Sequence, residues 1–572
     1  MQPLRIIFVL LLLSVKICCT GTGAIEKLPV NLFIPAIAHA ATYPSGNLDE
    51  IRTIDTTEQA LSFSFSGITN EAVVRQMLDQ LDDMGITATF FIFELEMRRH
   101  PELVREIMAR GHELGIAINV SEAEGFSEVQ NKVKLSMQKL EQDFGVKTEL
   151  VKQPWSVVEP ETKRAVSELG YYLIGQSVSV IQTSHKDYTS EEQVMSDLFK
   201  SARYSLGRGD IVHARMDYYT DDTLLGRVIT AIKKEKIDNI AFSTPYDNPR
   251  DNPSNDSWYV IKPVGEVLFN EKYTYKYPFP LEDVPEDLRS EKSNYVKLDK
   301  HDFNNELEKR YIGAPAIREN GALLGFSSAQ MRRLDTTGTI NTDENVVFFT
   351  FDDWGTDAAV NKLLYVLRKH NVKATFFIIT HTVQNNKNLL RAIAEEGHDI
   401  GNHTDTHTPM AVRKPLAKKY TQQQSKEEYF EEMNKSYKIL RDTVGDIVVD
   451  GQPALTRFFR PPALALSKDG IEALFEAGFE YIVSGSESTT DYKVDGVYSL
   501  IKEISNGIYD EDGNLIKGAI LVMHMTDHAA YTSIAVDLAL TANAQKDDSD
   551  KTKFKTDKLS NYISHEYQQK KK

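Results

Sequence analysis

Cysteine is nearly absent. The chain of 572 residues has two, Cys18 and Cys19, side by side near the N-terminus. Beyond that point no disulfide can staple the fold and no thiolate can hold a metal. Basic charge is also in deficit. Lys and Arg number 66 against 83 Asp and Glu, a formal net charge of -17, which argues against nucleic acid or an anionic membrane surface as the main partner. The most conspicuous apolar run, Ile6–Val15, is too short to span a bilayer. Arg5 before it and the small residues Thr20–Ala24 after it give the order of a secretory signal peptide, expected over residues 1–24. A second small-residue stretch, Ala38–Ala41, is an alternative cleavage region. An uncleaved anchor, or lipid attachment at Cys18 or Cys19, is the competing reading. After signal removal no stable membrane span is expected, and the mature chain is expected outside the cytoplasm. The sequence does not specify an oligomeric state.

What is present is ordinary for a soluble globular protein: 41% apolar and 26% charged residues. The length exceeds what one core serves, so two or more domains are expected. An internal repeat supplies them. Ile86–Ile92 (ITATFFI) matches Val372–Ile378 (VKATFFI), 286 residues later. Gly111–Gly115 (GHELG) matches Gly397–Gly401 (GHDIG) at the same spacing of 286. Glu168–Tyr171 resembles Glu476–Phe479 at a spacing of 308, so the second copy has gained about 22 residues, assigned to the stretch around Arg413–Lys426. Each copy alternates short β-type runs with helical periodicity, the signature of parallel βα units. In the second copy Val346–Phe351 and Ala374–Ile379 read as strands, and Val360, Leu363, Leu364 and Leu367 as a helix face. Ser425 with Glu428 reads as a capping box. The sequence divides into a first copy (50–245), a Pro-, Asn- and Tyr-rich connector or small subdomain (246–345), a second copy (346–544) and a charged, solvated tail (545–572).

Chemistry-bearing residues concentrate in the second copy. Asp352 and Asp353 end an apolar strand, where two carboxylates can divide metal binding from proton transfer. His403 and His407, four apart, are expected on one helical turn facing one divalent ion. With an Asp from another strand end they make a three-ligand site with positions open to water, the pattern of a catalytic metal. Arg460 precedes Pro461–Pro462 and can pair with a carboxylate. His524 ends the apolar run Ile520–Met523. Taken singly, each cluster has a bland reading as a turn or a satisfied core residue.

Together, in this order and spacing, they resemble the NodB-homology domain of the polysaccharide deacetylases, carbohydrate esterase family four. The resemblance covers about residues 346–540, with a faded version over about 60–237. It implies an α/β fold of two tandem distorted (β/α) barrels, the first degenerate, joined by an irregular connector. It also implies a divalent metal, most simply zinc, on Asp353, His403 and His407. Asp352 would be the general base, Arg460 its orienting partner and His524 the general acid. The backbone N–H of Ala463 would face the oxyanion. Two departures stand out. Trp354 occupies the place of the usual Gly, and reads equally as a sugar-stacking platform or a packed ring. The usual Asp–Trp pair of the acyl pocket has Asp491–Tyr492 as its nearest counterpart, with Asp491 expected to partner Arg460.

The same alignment empties the first copy of chemistry. Ser66 and Gly67 stand at Asp352 and Asp353, Ala117 and Ser121 at His403 and His407, Lys152 at Arg460, and Arg215 at His524. Such a set cannot hold a metal, so this copy is expected to be structural or a glycan-holding surface, with Trp155 and Tyr171 as packing residues before stacking ones. His398 matches His112 of the inert copy and is expected to be structural. His528, His370 and His381 are given no role. The expected activity is removal of N-acetyl groups from an acetylated extracytoplasmic polysaccharide. O-acetyl ester cleavage and non-catalytic glycan binding are the alternatives.

Overall fold

The computed structural model describes residues 49–154, 157–200, 205–290, 292–298, 302–314, 323–414 and 419–569. The expected signal segment, Cys18, Cys19 and Trp155 lie outside them. No described helix is long and apolar enough to cross a membrane.

Two curled parallel sheets organise the chain. In the first, β1 (Ala60–Ser66), β2 (Thr89–Phe93), β3 (Glu113–Ala117), β4 (Leu150–Lys152), β5 (Tyr172–Leu173), β6 (Val178–Ser179) and β7 (Ile211–Arg215) take the order β5-β4-β3-β2-β1-β7-β6, and β8 (Val260–Ile261) pairs with the start of β1. The second contains β9 (Tyr311–Ile312), β11 (Val346–Asp353), β12 (Thr375–Ile378), β13 (Asp399–Asn402), β18 (Leu455–Phe459), β20 (Tyr481–Val483), β21 (Glu487–Ser488), β22 (Ala519–His524) and β23 (Lys555–Thr556). Its order is β21-β22-β11-β12-β13-β18-β20-β9, with β23 on the start of β11. Small two-stranded pairs lie outside these sheets: β10 (Leu323–Leu324) with β19 (Leu466–Ser467), the hairpin β14 (Ala411–Lys414) and β15 (Lys419–Gln422), and β16 (Val448–Val449) with β17 (Gln452–Pro453). The hairpin occupies the expected insertion. Ser425 caps the helix Lys426–Val444 with Glu428 in a capping box.

The two halves are register-equivalent. Ser66 pairs with Arg215 as Asp352 pairs with His524. Ile92 pairs with Ile116 as Ile378 pairs with Asn402. The central strands are nearly all buried because parallel strands are covered on both faces. Phe349 and Phe351 face the main core with the helices, whereas Phe348, Phe377, Phe458 and Ile520 form a separate cluster.

That second cluster corrects the expected tail. Phe554, Leu559 and Ile563 are buried. Thr375 Oγ1 accepts from Leu559 N–H at 3.0 Å, and Asp399 accepts from Ser560 N–H at 2.8 Å and Oγ at 2.6 Å. The tail therefore closes the N-terminal end of the second sheet. Residues 260–268 do the same for the first: Thr89 Oγ1 accepts from Val264 N–H at 2.8 Å, and Glu113 from Gly265 N–H at 3.0 Å. Polarity hid the tail, where three of the nine residues 555–563 are apolar; residues 260–268, with five of nine apolar, are masked instead by the Pro- and Asn-rich stretch around them. Among the described residues the expected connector has no core of its own: Val264, Val267 and Leu268 belong to the first half, and Phe303, Leu307 and Tyr311 to the second.

Candidate metal and catalytic site

Asp352 and Asp353 end β11, where its strand path stops and the chain turns outward. Asp353 takes φ 77°, a left-handed conformation costly for a residue with a side chain. Gly67, its counterpart, has the same φ of 77°, so the turn belongs to the fold and the carboxylate is the addition. Gly355 is required just beyond, since a Cβ there would collide with the carbonyl oxygen of Met525. Thr356 is held by Asp527, through its N–H at 3.2 Å and its hydroxyl at 2.5 Å.

His403 and His407 follow β13, but not on a helical turn as expected. Thr404 and His407 have φ 70° and 60°. Asn402 Oδ1 accepts from Thr404 N–H at 2.8 Å, and Thr404 Oγ1 accepts from His407 N–H at 2.8 Å. Side chains capping local N–H groups give the backbone an alternative to helix. The imidazoles still converge. His403 Nε2 lies 3.6 Å and His407 Nε2 3.5 Å from Asp353 Oδ1. All three ligand atoms fall within 4.8 Å of one another, the single such donor group among the described residues.

Three observations fit this set to a divalent ion. Asp353 Oδ1 is buried without a hydrogen-bond partner. His403 Nδ1–H donates to Arg460 O at 2.8 Å, which leaves the Nε2 lone pair facing the carboxylate. Burial holds His403 below its ordinary pKa, against the pull of Asp352, and so favours the neutral ring a metal needs.

Asp352 is buried beside this group. Arg460 Nη1 donates to Asp352 Oδ1 at 2.7 Å and to Thr350 Oγ1 at 2.6 Å, while Nε donates to Val483 O at 3.0 Å. The guanidinium lies over Phe377, 4.1 Å from the ring centroid. Arg460 is fully buried, so its orientation is fixed by packing as well as by charge.

Asp491 corrects the sequence reading. It does not reach Arg460; it holds His524. His524 Nδ1–H donates to Asp491 Oδ1 at 2.6 Å, and Asp491 Oδ2 accepts from His524 N–H at 2.8 Å and Thr532 Oγ1 at 2.6 Å. Burial alone would lower the His524 pKa. The bond to Asp491 and the charges of Asp352, Asp491 and Asp353 outweigh it, and the net shift is upward. Tyr492 meets the His524 ring edge-on at 4.8 Å. Trp354 is partly buried and packs against the main core. Ala463 is exposed, with φ 53°, in the turn after Arg460. Thr350 and Thr532 were missed in the sequence, although Thr350 sits two residues before Asp352 on the same strand face.

Four other histidines have local partners. His398 and His112 each accept a backbone N–H through Nδ1, from Ala374 and Ala88 at 3.1 and 3.2 Å. His381 donates to Asp405 O, and His370 pairs with Asp537. His528 is exposed.

A family model for polysaccharide deacetylase matches residues 53–174 and again residues 339–482. Each half of the chain thus matches the polysaccharide deacetylase model once. A peptidoglycan-N-acetylglucosamine deacetylase of Bacillus cereus is 30% identical over 208 residues, covering 36% of this chain and 65% of that protein. Another of the same description, from Listeria monocytogenes, is 29% identical over 195 residues, covering 34% and 35%. The chain thus spans less than two thirds of either relative's length. A solved peptidoglycan N-acetylglucosamine deacetylase matches with a TM-score of 0.32 and 23% identity, over 39% of this chain and 91% of that one.

In the first deacetylase domain the equivalent place is filled. Arg215 Nε donates to Asp217 Oδ1 at 2.5 Å, and that carboxylate occupies the space a side chain at Gly67 would need. Lys152 stands where Arg460 does and is fully engaged. Its Nζ donates to Ile174 O, Gly175 O and Gln176 Oε1 at 3.2, 2.8 and 2.6 Å, while burial pushes its pKa down to about 7.

Proposed function

We propose that the second deacetylase domain is a metal-dependent hydrolase that removes N-acetyl groups from an extracytoplasmic polysaccharide of the N-acetylglucosamine type. The observation that carries this reading is the convergence of Asp353, His403 and His407 on one orphaned oxygen, with Asp352 and His524 beside it. The curated relatives' names support the substrate class. The signal-like N-terminus supports the location.

Asp353, His403 and His407 would hold a divalent ion, most simply zinc, which when bound would supply a Lewis acid for the acetyl carbonyl and for water. Asp352 accepts the proton of the attacking water, and Arg460 keeps its carboxylate aimed. The backbone N–H of Ala463 faces the developing oxyanion. His524, held protonated by Asp491, gives its proton to the departing amine, because an amide nitrogen leaves poorly until protonated. Acetate and a free amino sugar result. Tyr492 takes the acyl-pocket position beside His524, and Trp354 contributes packing under the site's rim.

The test is acetate release from defined glycans by metal-loaded protein, chelated protein and Asp352→Asn. Turnover confined to the loaded wild type, on N-acetylated oligomers, is the expected result. Equal release in all three samples would remove the mechanism. Release from acetylated xylan alone would make the protein an O-acetyl esterase.

A further inference from the structure

The helix after the catalytic turn is anchored by the inert half of the chain. This helix, Asp357–Lys369, begins four residues after Asp353, and its first residue is buried at 2% exposure. Asp357 faces Arg208, itself 2% exposed, with Nη1 at 3.3 Å from Oδ1. Tyr259 OH, also from the first half, donates to the same carboxylate, and Asn386 Nδ2 donates to its other oxygen. Arg208 is fixed in turn: Nε donates to Thr57 O at 3.0 Å, and Asn388 Nδ2 donates to Arg208 O and Ile54 O, both at 2.8 Å. A side chain at Gly207 would press on the Asp357 carboxylate, so the flanking backbone is fitted to it as well.

The turn has a second anchor on the other side. Thr356 is held by Asp527, and Met525 N–H donates to Asp352 O at 3.2 Å. Residues 352–357 are therefore strung between the strand carrying His524 and the first deacetylase domain. A buried carboxylate that loses its cationic partner does not stay in place at low cost. Without Arg208, Asp357 must move toward water or take up a proton, and the short turn to Asp353 moves with it.

We infer that Arg208 is a positioning residue for the metal site, acting through Asp357, and that the first domain serves as the fixed wall against which the ligand turn of the second is set. This rests on the metal assignment proposed above. Arg208 touches no reacting atom; it holds the origin of the helix whose preceding turn carries Asp353 and Asp352.

The experiment uses the full chain, and measures zinc affinity by competition with a chromophoric chelator alongside the melting temperature of the metal-free protein. The wild type must bind zinc, which tests the metal assignment separately. Arg208→Met is expected to weaken zinc binding about tenfold or more, the scale seen when partners orienting metal ligands are removed. Arg208→Met with Asp357→Asn is expected to recover most of that loss, because no unpaired buried charge remains. Arg208→Lys keeps the charge with a shorter, less directional reach, and is expected to fall between, which covers the case in which Arg208→Met does not fold. Lys369→Met is the control: Lys369 pairs with Asp247 at 2.7 Å at the far end of the same helix, about 18 Å away at 1.5 Å per residue. It should lower the melting temperature and leave zinc affinity unchanged. Wild-type zinc affinity in folded Arg208→Met or Arg208→Lys would overturn the inference and leave the contact as domain packing.

Discussion

Asp491→Asn isolates the part of the site that the sequence misassigned. His524 Nδ1–H lies 2.6 Å from Asp491 Oδ1, and the carboxylate is almost fully buried. Burial works against the protonated ring; Asp491 and the neighbouring carboxylates reverse that and raise its pKa. A hydrogen bond to a charged group contributes about 1.5–3 kcal/mol, and one pKa unit corresponds to about 1.4 kcal/mol. Neutralising Asp491 should therefore remove about 1.5–3 kcal/mol of support for the protonated ring and lower the His524 pKa. The sign follows from the role. The proton donor is present below the pKa of His524 and lost as pH rises through it, so a raised pKa extends activity toward alkaline pH. In Asp491→Asn the alkaline limb of kcat/KM should move to lower pH, with the acid limb, set by other groups, unmoved. The assay is acetate release from an N-acetylglucosamine oligomer across the pH range, with zinc content checked in each sample. An alkaline limb in the wild-type position, in a folded and zinc-loaded variant, would refute His524 as the acid.

The remaining predictions address the acid, the turn, the tail and the first domain. His524→Ala should lose about 10²–10⁴ in kcat, the usual contribution of a general acid, while keeping its zinc. Gly355→Ala should abolish activity and lower stability by about 1–3 kcal/mol, because the added methyl meets the Met525 carbonyl rather than a movable side chain; denaturant melts and turnover read the two effects. Leu559→Ala, in the closing plug of the second sheet, should cost about 2–5 kcal/mol by denaturant melting, although its segment reads as a polar tail. Ser66→Ala in the first domain should leave acetate release unchanged, since that domain's pseudo-site is closed by Arg215 and Asp217.

The repeat was the most legible feature. Identical spacings between TFFI and GH motifs place strands in equivalent register, and the coordinates keep that register at Ser66–Arg215 and Asp352–His524. The residues that meet at the site were legible because strand ends carry them and their order is distinctive. Local conformation was less so. His403 and His407 suited a helix by spacing, but Asn402 and Thr404 cap the backbone themselves and turn it left-handed. The Asp491–His524 pair joins residues 33 apart, and nothing in their spacing distinguishes it from a bond to Arg460. The plug at 555–563 was hidden by low apolar content, and the plug at 260–268 by the Pro- and Asn-rich stretch in which it lies. Arg208 sits in a Gly–Arg–Gly run that reads as a plain turn, and its partner lies 149 residues away.

The central claim is that one divalent ion sits on Asp353, His403 and His407, with Asp352 outside its ligand set. The measurement is zinc stoichiometry after stripping and reloading the full-length wild type, Asp352→Asn and His403→Ala. One ion per chain in the first two and none retained in the third is the expected result. Two ions in the wild type, or full retention by His403→Ala, would contradict it.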